Sequence, residues 1–293
     1  MKITGIVGYL LSPCKANGEI DNALLAAHVN RLIDAGVHGV APLGSVGCLP
    51  YLSDAERDEV VSTTVQAAAG RVPVLVGISS LSTAHTIRHA RFAEAQGAAA
   101  LQLLPSTYWQ LTENELLRYF QTVAESVSIP IMAYNNPFTT GWDMSVPLLQ
   151  KITSIPNITM VKEASPNPEK IPALRKACGD RVDIFVGVSK MAQSGFAAGA
   201  KGWCTAAPNV CAAQVLNFYR CVVAGDWEGA ALWLSRQEPL LNQMLDYGLP
   251  RAVSAGLEIR GVDAGHLRAP LLPLEAQQRV ALQKTIVEME TTQ

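Results

Sequence analysis

Short runs of apolar, β-branched residues alternate with segments of helical periodicity from the start of the chain to about residue 224. The runs are almost continuously apolar, which is typical of parallel strands that are covered on both faces. Two of the helical segments begin with a capping box, at Ser53–Glu56 and at Thr112–Glu115. The alternation predicts eight βα units, with strands over 3–10, 37–43, 73–78, 98–104, 130–134, 158–162, 182–188 and 202–206.

Eight consecutive βα units predict a (β/α)8 TIM barrel over residues 1–224. An open doubly wound sheet is the alternative, but no G-x-G-x-x-G turn follows the first strand. Beyond residue 224 the pattern predicts three helices, over 226–247, 250–260 and 275–288, and no further strand. We therefore expect residues 225–293 to form a C-terminal helical region that packs on the barrel.

The composition is that of a well-packed globular chain, with 49% hydrophobic and 16% charged residues among 293. The net charge of -2 provides no basic surface of the kind that binds nucleic acid. The apolar runs are too short to cross a membrane, and the N-terminus lacks a signal-peptide pattern, so we expect a cytoplasmic protein. No cofactor motif is present, and none is predicted.

Cysteine and histidine spacing gives little support for a metal site. The six cysteines form no C-x-x-C pair and are predicted to be reduced thiols. His85 and His89 form an i,i+4 pair that could bind a metal on a helix. Because no carboxylate stands between them as in H-E-x-x-H, we favour a solvated helix face and predict no metal.

Two residues at the ends of neighbouring strands suggest carbonyl chemistry. Active sites of TIM barrels lie at the C-terminal ends of the strands, and Lys162 ends the sixth strand. Burial there would favour the neutral amine, which is the form that attacks a carbonyl, although the head group could instead reach solvent or pair with a carboxylate. Tyr134 ends the fifth strand, where its phenol could pass protons to the amine or simply face water at the rim.

Further candidate residues follow other strands. The turn Gly44-Ser45-Val46-Gly47 contains two glycines that let the backbone approach a ligand closely. The N–H groups of Ser45 and Val46 and the Ser45 hydroxyl could bind a carboxylate, although such a turn is often only a tight corner. The remaining candidates for substrate binding at strand ends are Thr107, Tyr108, Thr139, Gly187 and Ser189.

Four motifs resemble those of the dihydrodipicolinate synthase / N-acetylneuraminate lyase family. They are Gly44–Gly47, Tyr134-Asn135-Asn136-Pro137, Val161-Lys162-Glu163-Ala164-Ser165 and Arg268-Ala269-Pro270. The resemblance covers nearly the whole chain. It implies a Schiff base between Lys162 and pyruvate or a pyruvate-derived acid, with Tyr134 as acid/base and the Ser45–Val46 turn binding the carboxylate. It also implies a homotetramer in which the loop after the fourth strand reaches a neighbour's site.

The chain departs from the family's pattern at the predicted site. Thr139 stands where the synthase branch has an arginine that holds a dicarboxylic substrate, and threonine cannot form that bidentate clamp. Val46 replaces a threonine of the family's proton relay, and valine cannot pass a proton. Thr107 or Tyr108 stands at the position of the relay tyrosine. Ser189 lies where sugar-acid lyases carry an aspartate.

The sequence therefore predicts a class I lyase that forms or cleaves a C–C bond next to a 2-keto acid. A dehydratase, hydratase-aldolase or deaminase could use the same imine. Dihydrodipicolinate synthase activity is less expected, and a non-catalytic ligand-binding homologue is a further alternative. Trp109, Phe138 and Trp142 near the predicted mouth could contact an apolar second substrate or pack loops and subunits.

Overall fold

Eight parallel strands hydrogen-bond in the order β2-β1-β8-β7-β6-β5-β4-β3 in the computed structural model, which describes residues 2–291. The first and last strands of this order, β2 and β3, are joined by a parallel bridge between Val40 and Val74. The sheet therefore curls into a nearly closed barrel. The strands are β1 (Gly5–Tyr9), β2 (Gly39–Ala41), β3 (Leu75–Gly77), β4 (Ala100–Leu103), β5 (Ile131–Asn135), β6 (Ile158–Glu163), β7 (Asp183–Val186) and β8 (Gly202–Thr205).

Helices alternate with these strands and continue after the last one. They are α1 (Asn22–Ala35), α2 (Asp54–Ala68), α3 (Thr83–Gln96), α4 (Glu113–Ala124), α5 (Pro137–Thr140), α6 (Val146–Ile152), α7 (Lys170–Cys178), α8 (Ala192–Ala197), α9 (Pro208–Ala224), α10 (Trp227–Asp246), α11 (Leu249–Ile259) and α12 (Ala276–Thr291). Three short 3-10 turns add Leu49–Tyr51, Gly179–Arg181 and Ser189–Met191. This architecture confirms the predicted (β/α)8 barrel with additional C-terminal helices.

Local signals in the sequence set where several helices begin and end. Both capping boxes form, with Ser53 and Thr112 accepting from the backbone N–H of Glu56 and Glu115. Gly97 ends α3 with a φ of 92°, a left-handed conformation that glycine adopts without a steric penalty. These boundaries follow the prediction because they depend on residues within one turn of each other.

The barrel core explains why the strand segments are so apolar. Ile6, Leu101, Phe185 and Trp203 lie on four different strands and are completely buried. The strands are covered by side chains inside the barrel and by helices outside it, so both faces exclude water. Removing this surface from water is the main favourable contribution to the free energy of folding.

The helices after β8 pack on the barrel's outer layer. α10 lies along α9 and also contacts α11 and α12. Leu240, Leu241 and Met244 on α10 are buried, as is Leu257 on α11. No strand follows β8 within residues 2–291, as predicted, and no helix in that range is long and apolar enough to cross a membrane.

Several boundaries differ from the prediction. β2 is shorter than the predicted strand over 37–43, because Pro42 lacks an N–H and Leu43 adopts a φ of 57°. β5 and β6 each extend one residue further than predicted, to Asn135 and Glu163. The four-residue helix α5 was not predicted, because a helix of one turn has no apolar period to detect.

Candidate active site

Lys162 lies inside the barrel, close to Tyr134. The two residues are direct partners across the β5–β6 pairing. Lys162 is 5% exposed, and its Nζ lies 3.9 Å from the centroid of the Tyr134 ring. Its Nζ forms no ion pair with a carboxylate of residues 2–291, so the amine is neither at the surface nor neutralised by an acidic side chain. This is the environment in which an amine can meet a carbonyl substrate without water competing for it.

The Tyr134 hydroxyl is held by a side chain from the following turn. Asn136 Nδ2 donates to Tyr134 Oη at 2.8 Å and to Thr139 Oγ1 at 2.8 Å. Tyr134 and Asn136 are buried, whereas Thr139 is exposed. Because Asn136 fills an acceptor position of the phenol, the phenol's own proton remains available to donate into the barrel. The geometry suits a group that delivers and recovers a proton beside Lys162.

A second tyrosine, Tyr9 at the end of β1, contacts the same amine. Lys162 Nζ lies 4.2 Å from the centroid of the Tyr9 ring. The Tyr9 hydroxyl donates to Oε1 of Gln102, which is buried on β4. Burial raises the pKa of Tyr9 well above its usual range, and nearby Cys204 and Tyr134 raise it further, so this phenol stays neutral.

Sequence reasoning missed Tyr9, Gln102 and Cys204. All three lie in strands that are almost wholly apolar, where the pattern does not show which face points into the barrel. A usable signal existed for Tyr9, because it is the last residue of β1 and the rule about strand ends applies to it.

The turn after β2 packs directly against Tyr9. A Cβ on Gly44 would lie 2.3 Å from Tyr9 Cδ1, and a Cβ on Gly47 would lie 2.9 Å from the Leu43 nitrogen. Both glycines are therefore needed for close packing, which accounts for a tight corner whether or not a ligand binds. Gly44 touches Tyr9 and Tyr9 touches Lys162, so the turn lies beside the amine. Ser45 is exposed and Val46 is buried.

The other predicted residues divide into two groups. Gly187 lies beside the amine, because a Cβ there would be 3.1 Å from Lys162 Cε. Ser189 begins the half-buried 3-10 turn that follows β7. Thr107 is exposed and Tyr108 is 87% exposed, so the loop after β4 does not bring either residue into the barrel of its own chain.

A cleft lies between the loop after β4 and the segment after α5. Its volume is about 110 Å³, and its lining includes Tyr108, Trp109 and Trp142. Trp109 is 77% exposed and Phe138 is 74% exposed. Exposed aromatic residues of this size mark a contact surface for a ligand or for another chain.

A buried polar network lies behind the two strands that carry Lys162 and Tyr134. Glu163 accepts from the Ser165 N–H at 2.5 Å and from Asn135 Nδ2 at 2.9 Å. Lys170 Nζ, at the start of α7, lies 3.9 Å from Glu163 Oε2 and also pairs with Asp143. Burial raises the pKa of Glu163, and these partners offset only part of that effect. The network ties β5, β6 and α7 together next to the amine.

The predicted solvated helix face holds for His85, which is exposed, but not for His89, which is buried. His89 is 6% exposed, and its Nε2 lies 3.1 Å from Oδ1 of Asp54, because α3 packs this side against the start of α2. His85 Nδ1 lies 3.0 Å from the other oxygen of Asp54. Three atoms that could bind a metal, one from each of these residues, therefore lie within 4.8 Å of one another. Arg88 hydrogen-bonds His89 Nδ1 at 3.3 Å, and a guanidinium can only donate.

That hydrogen bond makes Nδ1 of His89 an acceptor, whereas binding a metal through Nε2 would leave the proton on Nδ1. The arrangement favours a polar contact between α2 and α3, in which a neutral His89 faces Asp54, over a metal site. All six cysteines are free, as predicted, and five of them are buried.

Comparison with known proteins gives a consistent result. The model of the dihydrodipicolinate synthetase family matches residues 2–289. An uncharacterised DapA-like lyase of Halobacterium salinarum is 30% identical over 287 residues, which cover 97% of this chain and 93% of that protein.

Two solved structures show that the likeness extends over the whole barrel. A putative dihydrodipicolinate synthetase from Pseudomonas aeruginosa is 43% identical, with a TM-score of 0.96 over 98% of this chain and 100% of that one. A chloride-inhibited dihydrodipicolinate synthase from Acinetobacter baumannii, solved with pyruvate, is 26% identical, with a TM-score of 0.92 over 98% of each chain. Since the family model spans nearly all of its residues, the chain belongs to the dihydrodipicolinate synthetase family.

Proposed function

We propose that the chain is a class I lyase in which Lys162 forms a Schiff base with pyruvate or another 2-keto acid. The observation that carries this proposal is the buried Lys162 amine, which faces the rings of Tyr134 and Tyr9 and has no carboxylate partner among residues 2–291. The synthase from Acinetobacter baumannii that was solved with pyruvate supports the choice of ligand.

The reaction begins with imine formation. The neutral Lys162 amine attacks the keto carbon, and a proton moves to the carbonyl oxygen to give a carbinolamine. Loss of water then leaves a protonated imine. Tyr134 lies beside the amine and serves as the group that supplies and recovers these protons. The N–H groups of Ser45 and Val46 hold the substrate carboxylate next to Tyr9.

The protonated imine then accepts the electron pair of a neighbouring bond. In the cleavage direction the C4 hydroxyl gives its proton to the Tyr134 oxygen, the C3–C4 bond breaks, and its electron pair moves toward the imine nitrogen to form the enamine. The fragment that contains C4 leaves as an aldehyde, and the enamine takes up a proton at C3. Water hydrolyses the imine and releases the keto acid and free Lys162. No redox change occurs in this sequence, so no cofactor is required for it.

The second substrate differs from that of a typical dihydrodipicolinate synthase. Thr139 accepts from Asn136 and cannot form two parallel bonds to a distal carboxylate. Val46 is buried and carries no proton to relay. The part of the aromatic cleft that Trp142 lines is a surface for an apolar portion of that substrate. A dehydratase, hydratase-aldolase or deaminase that uses the same imine remains the second candidate.

Hydrogen exchange at the methyl group of pyruvate tests the proposal. In heavy water the enamine takes up deuterium at C3, and the loss of the methyl proton signal is followed by NMR. We expect exchange with wild type and with Lys176→Ala, which removes an exposed lysine, and none above background with Lys162→Ala. Equal exchange by wild type and Lys162→Ala would refute the assignment of the amine.

Product analysis separates the two candidate reactions. Pyruvate and an aldehyde from a 4-hydroxy-2-keto acid indicate C–C cleavage. A semialdehyde or saturated keto acid, formed with loss of water or ammonia, indicates the second candidate instead.

We also propose that the enzyme is a cytoplasmic homotetramer. The highly exposed Tyr108 and Trp109 support an assembly in which the loop after β4 contacts another copy.

A further inference from the structure

We propose that Tyr9 determines which 2-keto acids reach Lys162, because its ring forms the wall that runs from the amine to the Gly44 turn. The inference rests on the proposed function, since it concerns the acid that forms the imine. It adds a specificity-determining residue that neither the motifs nor the resemblance pointed to.

The position of the ring is defined by contacts at two places. Lys162 Nζ lies over the ring face, 4.2 Å from its centroid. The ring edge meets the turn after β2, where the three atoms nearest to a Cβ built on Gly44 are all Tyr9 ring atoms, at 2.3, 2.6 and 3.7 Å. One ring therefore touches both the nucleophile and the turn that would bind the carboxylate.

The ring is held so that it cannot easily turn aside. Its hydroxyl donates to the buried Gln102 Oε1, and its backbone carbonyl accepts from Asn209 Nδ2 at 2.7 Å. Tyr9 itself is 4% exposed, and Gln102 and Asn209 are also buried. A wall fixed by hydrogen bonds at both ends discriminates between ligand shapes better than a mobile one.

This position constrains the substrate at C3. In the proposed imine the keto carbon bonds to Lys162 Nζ, which lies over the Tyr9 ring, and the carboxylate reaches the Gly44 turn, which touches the edge of the same ring, so the bound acid lies next to Tyr9. A substituent on C3 has to share the remaining space with the ring. We therefore infer that the wild-type site accepts pyruvate and discriminates against 2-keto acids with a longer chain.

A competition experiment measures this selectivity directly. The full-length protein is incubated with equal concentrations of pyruvate and 2-oxobutyrate, reduced with borohydride, and the two Lys162 adducts are quantified by mass spectrometry. We expect Tyr9→Ala to raise the ratio of 2-oxobutyrate adduct to pyruvate adduct about tenfold or more, the scale on which an apolar pocket distinguishes one methylene.

The matched control is Tyr9→Phe, which keeps the ring and loses the hydroxyl bond to Gln102. We expect its adduct ratio to stay close to that of wild type, even if its overall reactivity falls. Tyr9→Leu keeps part of the buried volume without a ring and serves if Tyr9→Ala does not fold. Its ratio should shift in the same direction by a smaller factor.

A second pair of variants tests the contact with the turn. Gly44 does not have a positive φ, so alanine is compatible with the backbone, and the three atoms nearest to its Cβ all belong to the Tyr9 ring. We expect Gly44→Ala to slow trapping of both acids in the wild-type background. In the Tyr9→Ala background the same change should reduce the trapping rate much less, because the ring that the new Cβ would contact is absent.

The outcomes separate the two proposals. If wild type forms no adduct with either acid, the proposed function fails and the role of Tyr9 fails with it. If wild type forms adducts but neither Tyr9→Ala nor Tyr9→Leu changes the ratio in folded protein, the inference is overturned and the Schiff base stands. A shift in Tyr9→Phe as large as in Tyr9→Ala would also overturn it, because the ring would then not be the wall.

Discussion

At the scale of single residues, the surroundings of Lys162 combine burial with aromatic contact. Its Nζ lies near the ring faces of Tyr134 and Tyr9, whose negative quadrupole attracts a cation. In the proposed reaction a positively charged imine forms at this nitrogen, so the rings would stabilise that charge without the permanent neutralisation that a carboxylate brings. The Tyr134 hydroxyl accepts from Asn136, which leaves its own proton free for transfer, whereas the Tyr9 hydroxyl donates its proton to Gln102.

Loss of the Tyr134 hydroxyl should slow proton transfer, while the imine should still form on Lys162. In Tyr134→Phe the ring beside Lys162 remains, so we expect a Lys162 adduct to form more slowly. Exchange of the pyruvate methyl protons should fall by roughly 10²–10⁴, the usual contribution of a positioned acid or base. NMR in heavy water measures this rate.

The control is Tyr119→Phe, which removes a hydroxyl that shares a 3.1 Å hydrogen bond with Thr86 on the outer helices. It should exchange at the wild-type rate. If Tyr134→Phe also exchanged at that rate, Tyr134 would not be the acid/base.

At the scale of elements, the buried network of Glu163, Asn135, Lys170 and Asp143 joins β5, β6 and α7. Its members sit on the far side of the strands from the amine, where they fix the register that places Tyr134 opposite Lys162. Because burial raises the pKa of Glu163, the folded state binds this proton more tightly than the unfolded chain does. The stabilisation by this group is therefore fully present below about pH 4.3, the pKa of a glutamate in the unfolded chain. It is lost as the pH rises through the higher pKa that Glu163 has in the folded state.

Substitution of Glu163 should accordingly change the pH dependence of stability. Glu163→Gln does not titrate, so its free energy of unfolding relative to wild type should improve as the pH rises from about 4 to about 8. Chemical denaturation across this range measures the difference.

Glu115→Gln should show the opposite trend. Hydrogen bonds from the Thr112 N–H and hydroxyl lower the pKa of Glu115, so its contribution is present at neutral pH and disappears as the pH falls. The account of Glu163 would be contradicted if, for both variants, the difference in free energy of unfolding from wild type changed with pH in the same direction.

The ends of helices were predictable where they are determined by residues close in sequence. The capping boxes at Ser53 and Thr112 and the glycine that ends α3 are determined by neighbours within one turn. Lys162 and Tyr134 could be placed together because consecutive parallel strands put their ends side by side. The contact between Tyr9 and Lys162 was not predictable in this way, because β1 and β6 are not neighbouring strands and meet only across the closed barrel. The pairing of His89 with Asp54 likewise depends on how α3 packs on α2.

At the scale of the whole molecule, eight βα units were sufficient to predict the barrel. The division of the chain at residue 224 into a barrel and a helical region stays a prediction, although α10 does pack along α9. The identity of the second substrate could not be predicted, since it depends on the loops at the mouth, where Thr107, Tyr108 and Thr139 are exposed.

The exposed aromatic residues of the loop after β4 lead to a prediction about assembly. Light scattering coupled to gel filtration should give the mass of four 31.3 kDa chains. Trp109→Ala should weaken the assembly, because a 77% exposed tryptophan in the free chain would be buried in the tetramer. The control is Trp227→Ala on α10, where the side chain is 40% exposed and far along the chain from this loop. A wild-type monomer at micromolar concentration would contradict the proposed tetramer.

The central claim is that Lys162 forms a covalent imine with a 2-keto acid, and reductive trapping tests it most directly. The protein is incubated with pyruvate and borohydride, digested, and mapped by mass spectrometry. We expect one reduced pyruvate adduct per chain, on Lys162, and none in Lys162→Ala. Absence of an adduct on Lys162 with pyruvate and with a panel of other 2-keto acids would contradict the claim.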